Sequence, residues 1–528
     1  MNFLLTMVIS FIFSLFVIIG KKKHNKFALI AGIIIFIGCF VRLYRIDSFP
    51  LGLNQDEASI GYEAYSLVNY GVDRFGMSWP VHFVAWGSGQ NALYAYFILP
   101  IINILGNNSL SIRLPMTLIG CLSIIFVYFF IRRIMPNNNG LIVLFIFAVM
   151  PWHIMKSRWG LESNIFPDLV LYALVFMYFG IVDNKKRLLI LSSITLGIST
   201  YAYGTSYLFI PILLISMYVY LVKIKKISFK QAIIYFSITA IIALPMILFV
   251  IINYFKLDTI NMFGISIPRL PYNRFTTVTS VNGNFIKNCF KNFIDFLYII
   301  IFQKDAVALN YMNGFGVFYL FSLPLFVYGI IVYFKRYYEN IYLKIIFIAL
   351  ICSFVVGIMI DGNINRLNIT WFPMLAFIIL GVIDMSKRNR YLKIGICTCY
   401  LISFILFNYY YFGSYQRKIA SVNNYGLEES ILSINTAKNI YITDTINQPY
   451  IFWLYYTKMS PNYYIKNRSI ENEYVMFQQV KSIDKIKFYL PNSLDKDSIY
   501  IVPKELVNMY DISQCVINNY YNYYVLDC

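Results

Sequence analysis

The sequence predicts a multi-pass α-helical membrane protein with about twelve transmembrane helices and a small C-terminal α/β domain. Hydrophobic residues make up 59% of the 528 residues and charged residues only 13%, about half the charged share of an ordinary globular domain. Apolar runs recur along the chain, and most have the roughly 17–25 residues that a helix needs to cross a hydrocarbon core. Basic residues follow every second run, which is typical of a polytopic membrane protein.

Twelve apolar runs are predicted to cross the membrane. They occupy approximately residues 3–20, 27–45, 109–131, 140–155, 165–182, 188–203, 206–222, 232–252, 316–334, 341–360, 366–384 and 391–411. The first run has no basic residue before it, three lysines directly after it and no small-x-small cleavage site. We therefore expect a retained helix and not a cleaved signal peptide.

Basic clusters define the orientation of these runs. They lie at 21–26, 132–133, 185–187, 223–230, 335–336 and 387–393. By the positive-inside rule these gaps are cytoplasmic, which places both termini and the alternate gaps outside. A crossing at the short run 89–105 would move every later basic cluster outside. We therefore predict that 57–70 and 89–105 are helices in the outer interface, with 289–302 placed similarly.

This topology leaves three substantial outer segments, at 46–108, 253–315 and 412–528. The predicted domains are a transmembrane domain at 1–411 and a small extracytoplasmic α/β domain at 412–528, which has a typical domain size. Within the second domain we predict one helix and three strands. The helix is expected at 427–437 and the strands at 439–443, 485–490 and 498–502.

The net charge of +19 does not indicate nucleic-acid binding. Residues 1–411 hold 33 Lys/Arg and 14 Asp/Glu, whereas residues 412–528 hold 11 of each. The excess therefore lies in the loops of the membrane part, where topology explains it.

The cysteines and histidines do not form a metal-binding pattern. Five cysteines lie inside apolar runs, where a thiol acts as a small hydrophobe: Cys39, Cys121, Cys352, Cys397 and Cys399. Cys515 and Cys528 share a polar region predicted to lie outside, which leaves a disulfide between them open. His24, His82 and His153 are scattered along the chain, so no His/Cys cluster is predicted.

Two adjacent carboxylates, Asp56 and Glu57, follow the second run at the predicted outer boundary. Carboxylates at a membrane edge are costly to desolvate, which favours a functional role. Acidic residues also stabilise a helix N-terminus, and an interfacial helix is predicted to begin near Ala58. The sequence leaves both interpretations open.

Polar residues cluster again between the fourth and fifth runs, at 156–164. Arg158 and Glu162 are four residues apart and would share a face on a helix. Arg158 would then either form a salt bridge or bind a phosphate in a bidentate manner. Asp168 lies one turn deeper in the fifth run and is expected to pair with a base or to serve a site.

Further cations lie in the predicted outer segments, against the topological bias. Arg366 begins the eleventh run, and Lys304, Arg269 and Arg274 lie in the segment 253–315. Each is a candidate to hold an anionic headgroup, although none is specific by itself.

Several motifs taken together resemble one enzyme family. They are Asp56-Glu57-Ala58, Gly61-Tyr62, Gly71-Val72-Asp73, Trp79-Pro80, Arg113-Leu114-Pro115, Pro151-Trp152-His153, Ser157-Arg158-x-Gly160-x-Glu162-Ser163-Asn164 and Asn365-Arg366. This set is similar to the family-39-type bacterial glycosyltransferases of the GT-C superfamily, which include the protein O-mannosyltransferases and the lipid A aminoarabinose transferases. The resemblance covers most of residues 27–411 and implies a GT-C-like fold.

The resemblance also implies a reaction. The enzyme would move a sugar from a polyprenyl-phosphate donor to a hydroxyl acceptor on the outer face of the cell membrane, with inversion. Asp56 would be the general base, and Glu57 would orient the acceptor or tune Asp56. The other implied donor-phosphate or substrate contacts are Arg158, Arg366, Lys304, Glu162, Asn164, Tyr62 and His82. The acceptor would be a cell-envelope glycan, lipid or protein, and membrane lipids would surround the enzyme.

The chain also departs from the family pattern, and alternatives stay open. One helix precedes the usual start, and no conventional metal triad is visible, so no cofactor is certain and a divalent metal stays open. A transporter or flippase of polyprenyl-linked sugars is the main alternative from another class, but it would need more charged residues at mid-membrane. An enzyme of the same fold that uses an oligosaccharide-diphospholipid is another alternative. A membrane scaffold would not need the acid–base set.

Overall fold

The computed structural model describes residues 1, 3–18, 26–135, 138–274, 284–434 and 438–528. The predicted basic residues at 21–23 and the predicted helical residues 435–437 lie outside this description. The chain forms two compact units, each assembled from three segments. The first unit contains Met1–Asp47, Arg113–Leu244 and Phe275–Gly413, and the second contains Ser48–Ile112, Pro245–Arg274 and Ser414–Cys528.

Helices dominate the first 413 residues. In chain order the elements are α1 (Phe3–Ile18), α2 (Lys26–Leu43), α3 (Gln55–Tyr70), β1 (His82–Phe83), β2 (Gln90–Asn91), α4 (Leu93–Leu105), α5 (Ser109–Ile134), α6 (Asn138–Ala148), α7 (Pro151–Lys156), α8 (Glu162–Val182), α9 (Lys186–Ser199), α10 (Ser206–Lys223), α11 (Phe229–Phe255), β3 (Ile260–Met262), β4 (Ile265–Ile267), α12 (Phe285–Phe302), α13 (Ser322–Val332), α14 (Ile341–Met359), α15 (Asn368–Arg388) and α16 (Arg390–Tyr411).

Each of the twelve predicted apolar runs contains a helix, and the predicted fold class is confirmed. Eight helices of the described residues are long and apolar enough to cross a membrane by themselves: α2, α5, α8, α10, α11, α14, α15 and α16. The shorter apolar helices include α1, α4 and α6. The number of crossings and their orientation stay predictions.

The predicted interfacial segments are also helical. The segment 57–70 corresponds to α3 and 289–302 to α12, which begins four residues earlier at Phe285. The prediction for 89–105 was too long, because Gln90–Asn91 pairs with His82–Phe83 as a short antiparallel ribbon before α4 begins. Position in the membrane interface stays a prediction.

Small residues allow a close helix crossing in the first unit. Gly329 of α13 faces the backbone of α15, and a Cβ atom there would overlap the carbonyl oxygen of Phe377. Gly381 of α15 faces back, and its Cβ atom would overlap the carbonyl oxygen of Leu325. Glycines at both positions therefore let the two backbones approach closely, as in other membrane helix pairs.

The remaining elements lie in the C-terminal segment of the second unit. They are α17 (Ser414–Val422), α18 (Leu427–Leu432), β5 (Asn439–Ile442), α19 (Pro449–Thr457), α20 (Pro461–Asn467), β6 (Arg468–Ile470), β7 (Val480–Ile483), β8 (Ile486–Lys487), β9 (Ser498–Pro503), β10 (Val516–Tyr520) and β11 (Tyr523–Asp527). The three predicted strands correspond to β5, β8 and β9. The N-terminal half of the predicted helix 427–437 corresponds to α18 (Leu427–Leu432).

Seven strands form one mixed sheet in the order β10-β11-β9-β5-β8-β7-β6. The central strand β5 is parallel to both neighbours, with Ile440 opposite Ile486 on one side and Ile499 on the other. One face packs around Tyr441 and Tyr500, whose rings stack with centroids 5.0 Å apart. The sheet therefore has the mixed α/β character predicted for this segment.

A disulfide joins Cys515 and Cys528 at the base of the terminal hairpin. Cys515 immediately precedes β10, and Cys528 immediately follows β11. The bond therefore closes the hairpin that forms one edge of the sheet. This is the pairing that the sequence left open.

We expect Gly329→Ala to destabilise the protein by about 1–3 kcal/mol, because the added methyl group would force α13 and α15 apart. Thermal unfolding of the purified protein in detergent measures this effect. Gly395→Ala in α16 is the matched control, since a Cβ atom there would meet no heavy atom within 4 Å. Equal melting temperatures for the two variants would contradict the proposed close crossing.

Candidate functional site

The acidic pair predicted from the sequence lies at the N-terminus of α3. Asn54 is the N-cap, and its side-chain oxygen accepts a hydrogen bond of 2.8 Å from the Glu57 backbone N–H. Asp56 and Glu57 occupy the first helical turn, where the helix dipole favours negative charge. Glu57 is fully buried, whereas Asp56 is half-buried. The helix-cap interpretation is therefore correct for the position, and Asp56 is the accessible member of the pair.

Protein atoms surround the Asp56 carboxylate closely, but few contacts replace the hydrogen bonds to water that its charge has lost. Among the described residues it has no hydrogen-bond or ion-pair partner. Burial raises the pKa of Asp56 to about 6, and the charges of Arg274 and Arg74 oppose that shift. The neighbouring charge of Glu57 adds to it. Asp56 is therefore ionised at neutral pH, and its carboxylate oxygens accept no hydrogen bond from the described residues.

A fully buried ion pair lies farther along α3. The Arg74 Nε atom is 3.0 Å from the Glu63 Oε1 atom, and neither side chain is exposed. The Arg74 guanidinium also lies over the Trp86 ring, 4.6 Å from its centroid, and 5.7 Å from that of Tyr450. In the described structure neither Arg74 Nη group has a hydrogen-bond partner. The pair connects α3 with the segment before β1 and with α19.

Two other predicted site residues, Tyr62 and His82, belong to the same unit. The Tyr62 hydroxyl donates a 2.7 Å hydrogen bond to the Met459 carbonyl oxygen, which attaches α3 to the C-terminal segment. The His82 ring stacks on Phe249, with centroids 4.2 Å apart. Burial lowers the pKa of His82 to about 3, so its ring is neutral. Their roles as substrate contacts stay predictions.

The first unit contains a buried network centred on Asp168. The Asp168 carboxylate accepts hydrogen bonds from Ser123 at 2.6 Å and from His153 Nε2 at 3.2 Å. It also forms an ion pair with Lys156. All four side chains are buried. The expectation that Asp168 pairs with a base is confirmed, and the base is Lys156.

Arg42 of α2 extends this network through His153. Its Nη2 atom lies 2.7 Å from His153 Nδ1, and its Nη1 atom donates to the carbonyl oxygens of Gly38 and Ala148. A guanidinium has only donors, so Nδ1 accepts and Nε2 carries the proton that faces Asp168. The network therefore connects α2, α5, α7 and α8 through continuous hydrogen bonds and one ion pair.

Arg158, the predicted phosphate ligand, is fully buried against the C-terminus of α2. Its guanidinium donates to the carbonyl oxygens of Val41, Arg42 and Tyr44, each at 2.8 Å. These carbonyl groups have no partner within the helix, so Arg158 caps α2. Arg158 lies before α8 and Glu162 begins it, so the two do not share a helical face, and that spacing argument was wrong.

Asn164 and Glu162 lie at the start of α8. The Asn164 side chain is buried, and its oxygen accepts a 3.1 Å hydrogen bond from Asn368 at the start of α15. Glu162 is half-buried in the first turn. Asn164 therefore has a packing role in this arrangement, and substrate contact by either residue stays a prediction.

Lys304 and Arg366 are carried by neighbouring segments of the first unit. Asp305, which follows Lys304, accepts a 2.8 Å hydrogen bond from the Ile364 backbone N–H, two residues before Arg366. Lys304 is exposed, and Arg366 forms a 3.3 Å ion pair with Asp361. The segments that carry the two predicted cations are therefore joined by a hydrogen bond, and their contact with a phosphate stays a prediction.

An apolar cavity of about 160 Å³ lies among the helices of the first unit. Its lining extends from Phe147, Pro167 and Phe372 at one end to Met135, Tyr342 and Ile383 at the other. The lining positions on α15 run from Ile369 to Ile383, a helical distance of about 21 Å. The cavity is thus elongated along the helices, and its lining is almost entirely apolar.

Within the described part of the chain, no group of three His, Cys, Asp or Glu side chains is placed to hold a metal ion.

We expect Asp168→Asn to destabilise the protein by about 3–5 kcal/mol, because it leaves the buried Lys156 charge without a counter-ion. Denaturant unfolding in detergent measures the effect. The matched control is Asp183→Asn, which removes an exposed 2.6 Å ion pair with Arg133 and should cost less than about 1 kcal/mol. Similar small losses for both variants would contradict a stabilising role for the Asp168 network.

Residues 91–252 match the family model described as dolichyl-phosphate-mannose-protein mannosyltransferase. The match begins after Asp56 and includes Arg158, Glu162 and Asn164. No curated protein sequence is detectably similar to the chain.

Solved structures share the fold over nearly the whole chain. ArnT from Cupriavidus metallidurans in the apo state aligns with a TM-score of 0.53 at 10% identity, and the alignment covers 95% of this chain and 97% of that chain. Its undecaprenyl phosphate complex aligns equally far, with a TM-score of 0.52. The oligosaccharyltransferase of Archaeoglobus fulgidus aligns with a TM-score of 0.50 at 12% identity, over 81% of this chain and 61% of that one.

The predicted resemblance is therefore supported by the family model over residues 91–252, and the predicted fold class is confirmed by the solved structures. The chain is a mostly helical protein with the fold of ArnT, and eight helices of its described residues are long and apolar enough to span a membrane.

Proposed function

We propose that the chain transfers a sugar from a polyprenyl-phosphate donor to a hydroxyl acceptor on the outer face of the membrane, with Asp56 as the general base. The observation that carries the proposal is the state of Asp56, a half-buried carboxylate at a helix N-terminus without a hydrogen-bond partner among the described residues. Such a carboxylate is free to accept a proton from a bound hydroxyl.

The reaction would be a single displacement. Asp56 accepts the proton as the acceptor oxygen forms its bond to the anomeric carbon of the sugar. The bond from that carbon to the phosphate oxygen breaks, and the polyprenyl phosphate leaves with the electron pair. Attack from the face opposite the leaving group inverts the configuration.

The predicted phosphate contacts Lys304 and Arg366 would stabilise the leaving phosphate. Lys304 is exposed, and Arg366 is held by Asp361 in a neighbouring segment. Charge grows on the phosphate in the transition state, so preorganised cations lower the barrier. Arg158 would act indirectly, because its guanidinium caps α2. Glu57, which is buried beside the base, would tune Asp56.

The donor lipid is supported by the apolar cavity and by the relatives. The ArnT structure contains undecaprenyl phosphate, and the family model names a dolichyl-phosphate sugar. The elongated cavity of the first unit, lined by Pro167 and Phe372 at one end, would accommodate part of an isoprenoid chain. The acceptor would be an envelope glycan, lipid or protein.

We expect Asp56→Asn to lower transfer by about 10²–10⁴-fold, since the amide cannot accept the proton. The measurement is the release of polyprenyl phosphate from a labelled polyprenyl-phosphate sugar by the purified protein. Asp444→Asn, which changes an exposed carboxylate of the C-terminal segment, is the control and should keep full activity. Full activity of Asp56→Asn would remove Asp56 as the base.

The pH dependence should report the same residue. Because burial raises the pKa of Asp56 to about 6, the active ionised form is lost as pH falls through about 6. The acid limb of the kcat/KM profile should therefore lie near that value, whereas an ordinary aspartate would place it near about 4. An acid limb near the ordinary value would contradict the proposed environment of the base.

A further inference from the structure

The hairpin of β3 and β4 follows α11 directly and is fixed at its base. The Asn253 side chain, in the last turn of α11, donates a 3.0 Å hydrogen bond to the Pro268 carbonyl oxygen and accepts one of 2.7 Å from the Leu270 backbone N–H. Strand β4 is also joined to the segment before β1, because the Ser266 backbone N–H donates a 2.9 Å hydrogen bond to the Ser78 carbonyl oxygen. The base of the hairpin is therefore held at the end of α11.

The two faces of this hairpin differ in polarity. Met262 pairs with Ile265, and both lie on the same face as Ile260 because side chains alternate along a strand. Asn261 pairs with Ser266 on the other face, where the Ser266 hydroxyl donates a 2.6 Å hydrogen bond to the Asn261 side chain. Ser266 is buried, whereas the three apolar side chains are 37–56% exposed. The hairpin thus turns apolar side chains outward and buries a polar one, the reverse of the usual pattern in water.

The turn at the tip of the hairpin carries a fully protruding aromatic ring. Phe263 and Gly264 form this turn, with φ angles of +54° and +76°. Two positive φ angles are typical of a type I′ turn, in which asparagine and glycine are favoured and a bulky residue is strained. The Phe263 side chain is nevertheless 92% exposed. Packing within the described protein therefore explains neither the residue type nor its position, which points to an external partner.

The position of the hairpin identifies a lipid bilayer as this partner. α11 is one of the helices that are long and apolar enough to cross a membrane. An exposed apolar stripe at i, i+4 spacing, made of Ile247, Ile251 and Phe255, runs along α11 to the start of the hairpin. Only four residues separate Thr259 at the base from Phe263 at the tip, a reach of about 13 Å. The tip therefore lies close to the lipid that surrounds the end of α11.

We propose that the β3–β4 hairpin is a lipid-binding element, which inserts Phe263 and its apolar face among the acyl chains of the leaflet next to the end of α11. Transfer of the Phe263 ring from water into the acyl chains would offset the cost of its strained backbone. The hairpin would thus give the second unit a lipid contact beside α11. This role does not depend on the reaction proposed for Asp56.

The test measures lipid contact of the hairpin in the full-length protein. Proteoliposomes contain phosphatidylcholine with a diazirine in one acyl chain, and peptide mass spectrometry quantifies photo-labelling of residues 257–267. The parent hairpin should carry lipid adducts. Phe263→Asn introduces a residue type that is favoured in this turn but removes the apolar ring, so labelling should fall by about tenfold or more. The melting temperature of this variant in detergent should not fall.

Two further variants serve as controls. Phe263→Trp keeps a large apolar ring and should keep the labelling of the parent protein. Tyr474→Asn changes a 74% exposed aromatic residue elsewhere in the same unit and should leave the labelling of the hairpin unchanged.

Missing lipid adducts on the parent hairpin would overturn the proposal, and a tip covered by another protein would give this result. Unchanged labelling in Phe263→Asn would overturn it too. So would a lower melting temperature of that variant in detergent, because the ring would then pack within the protein.

Discussion

A buried charge is stable only when protein groups replace the water that it has lost, and Asp168 shows how the first unit meets this constraint. Its carboxylate accepts hydrogen bonds from Ser123 and His153 and forms an ion pair with Lys156. Arg42 continues the network from α2. Because these side chains come from four helices, satisfying one carboxylate also determines how the helices pack around it.

In the second unit the charge of a buried carboxylate is compensated differently. This difference distinguishes the structural carboxylate Asp168 from the candidate base Asp56. Asp56 lies in dense surroundings but has no hydrogen-bond partner among the described residues. Its charge is compensated through space by Arg274 and Arg74 and by the N-terminus of α3. A carboxylate held in this way stays ionised while its oxygens remain available to a substrate. Asp168 is saturated and therefore structural, whereas Asp56 is suited to accept a proton.

Features that depend on local sequence were predictable, and those that depend on distant contacts were not. Hydropathy is a property of consecutive residues, so each of the twelve predicted apolar runs contains a helix. An acidic pair before an apolar-periodic segment marked the N-terminus of α3. The sequence suggested a phosphate as the partner of Arg158. Its actual acceptors, the carbonyl groups at the end of α2, could not be foreseen because they lie up to 117 residues away in sequence. The buried partners Glu63 and Arg74 are 11 residues apart, which on one helix would separate them by about 16 Å, so their contact could not be predicted from a helical period.

An enzyme of the proposed type consumes a polyprenyl-phosphate sugar, and reconstitution of the purified protein would detect that consumption. Purified protein in proteoliposomes is given lipid-labelled polyprenyl-phosphate sugars together with acceptor material from cells that lack the protein. The proposed reaction should yield free polyprenyl phosphate and an equal amount of a sugar–acceptor product with inverted anomeric configuration. Movement of the intact donor across the bilayer without release of polyprenyl phosphate would contradict it and would favour a transporter.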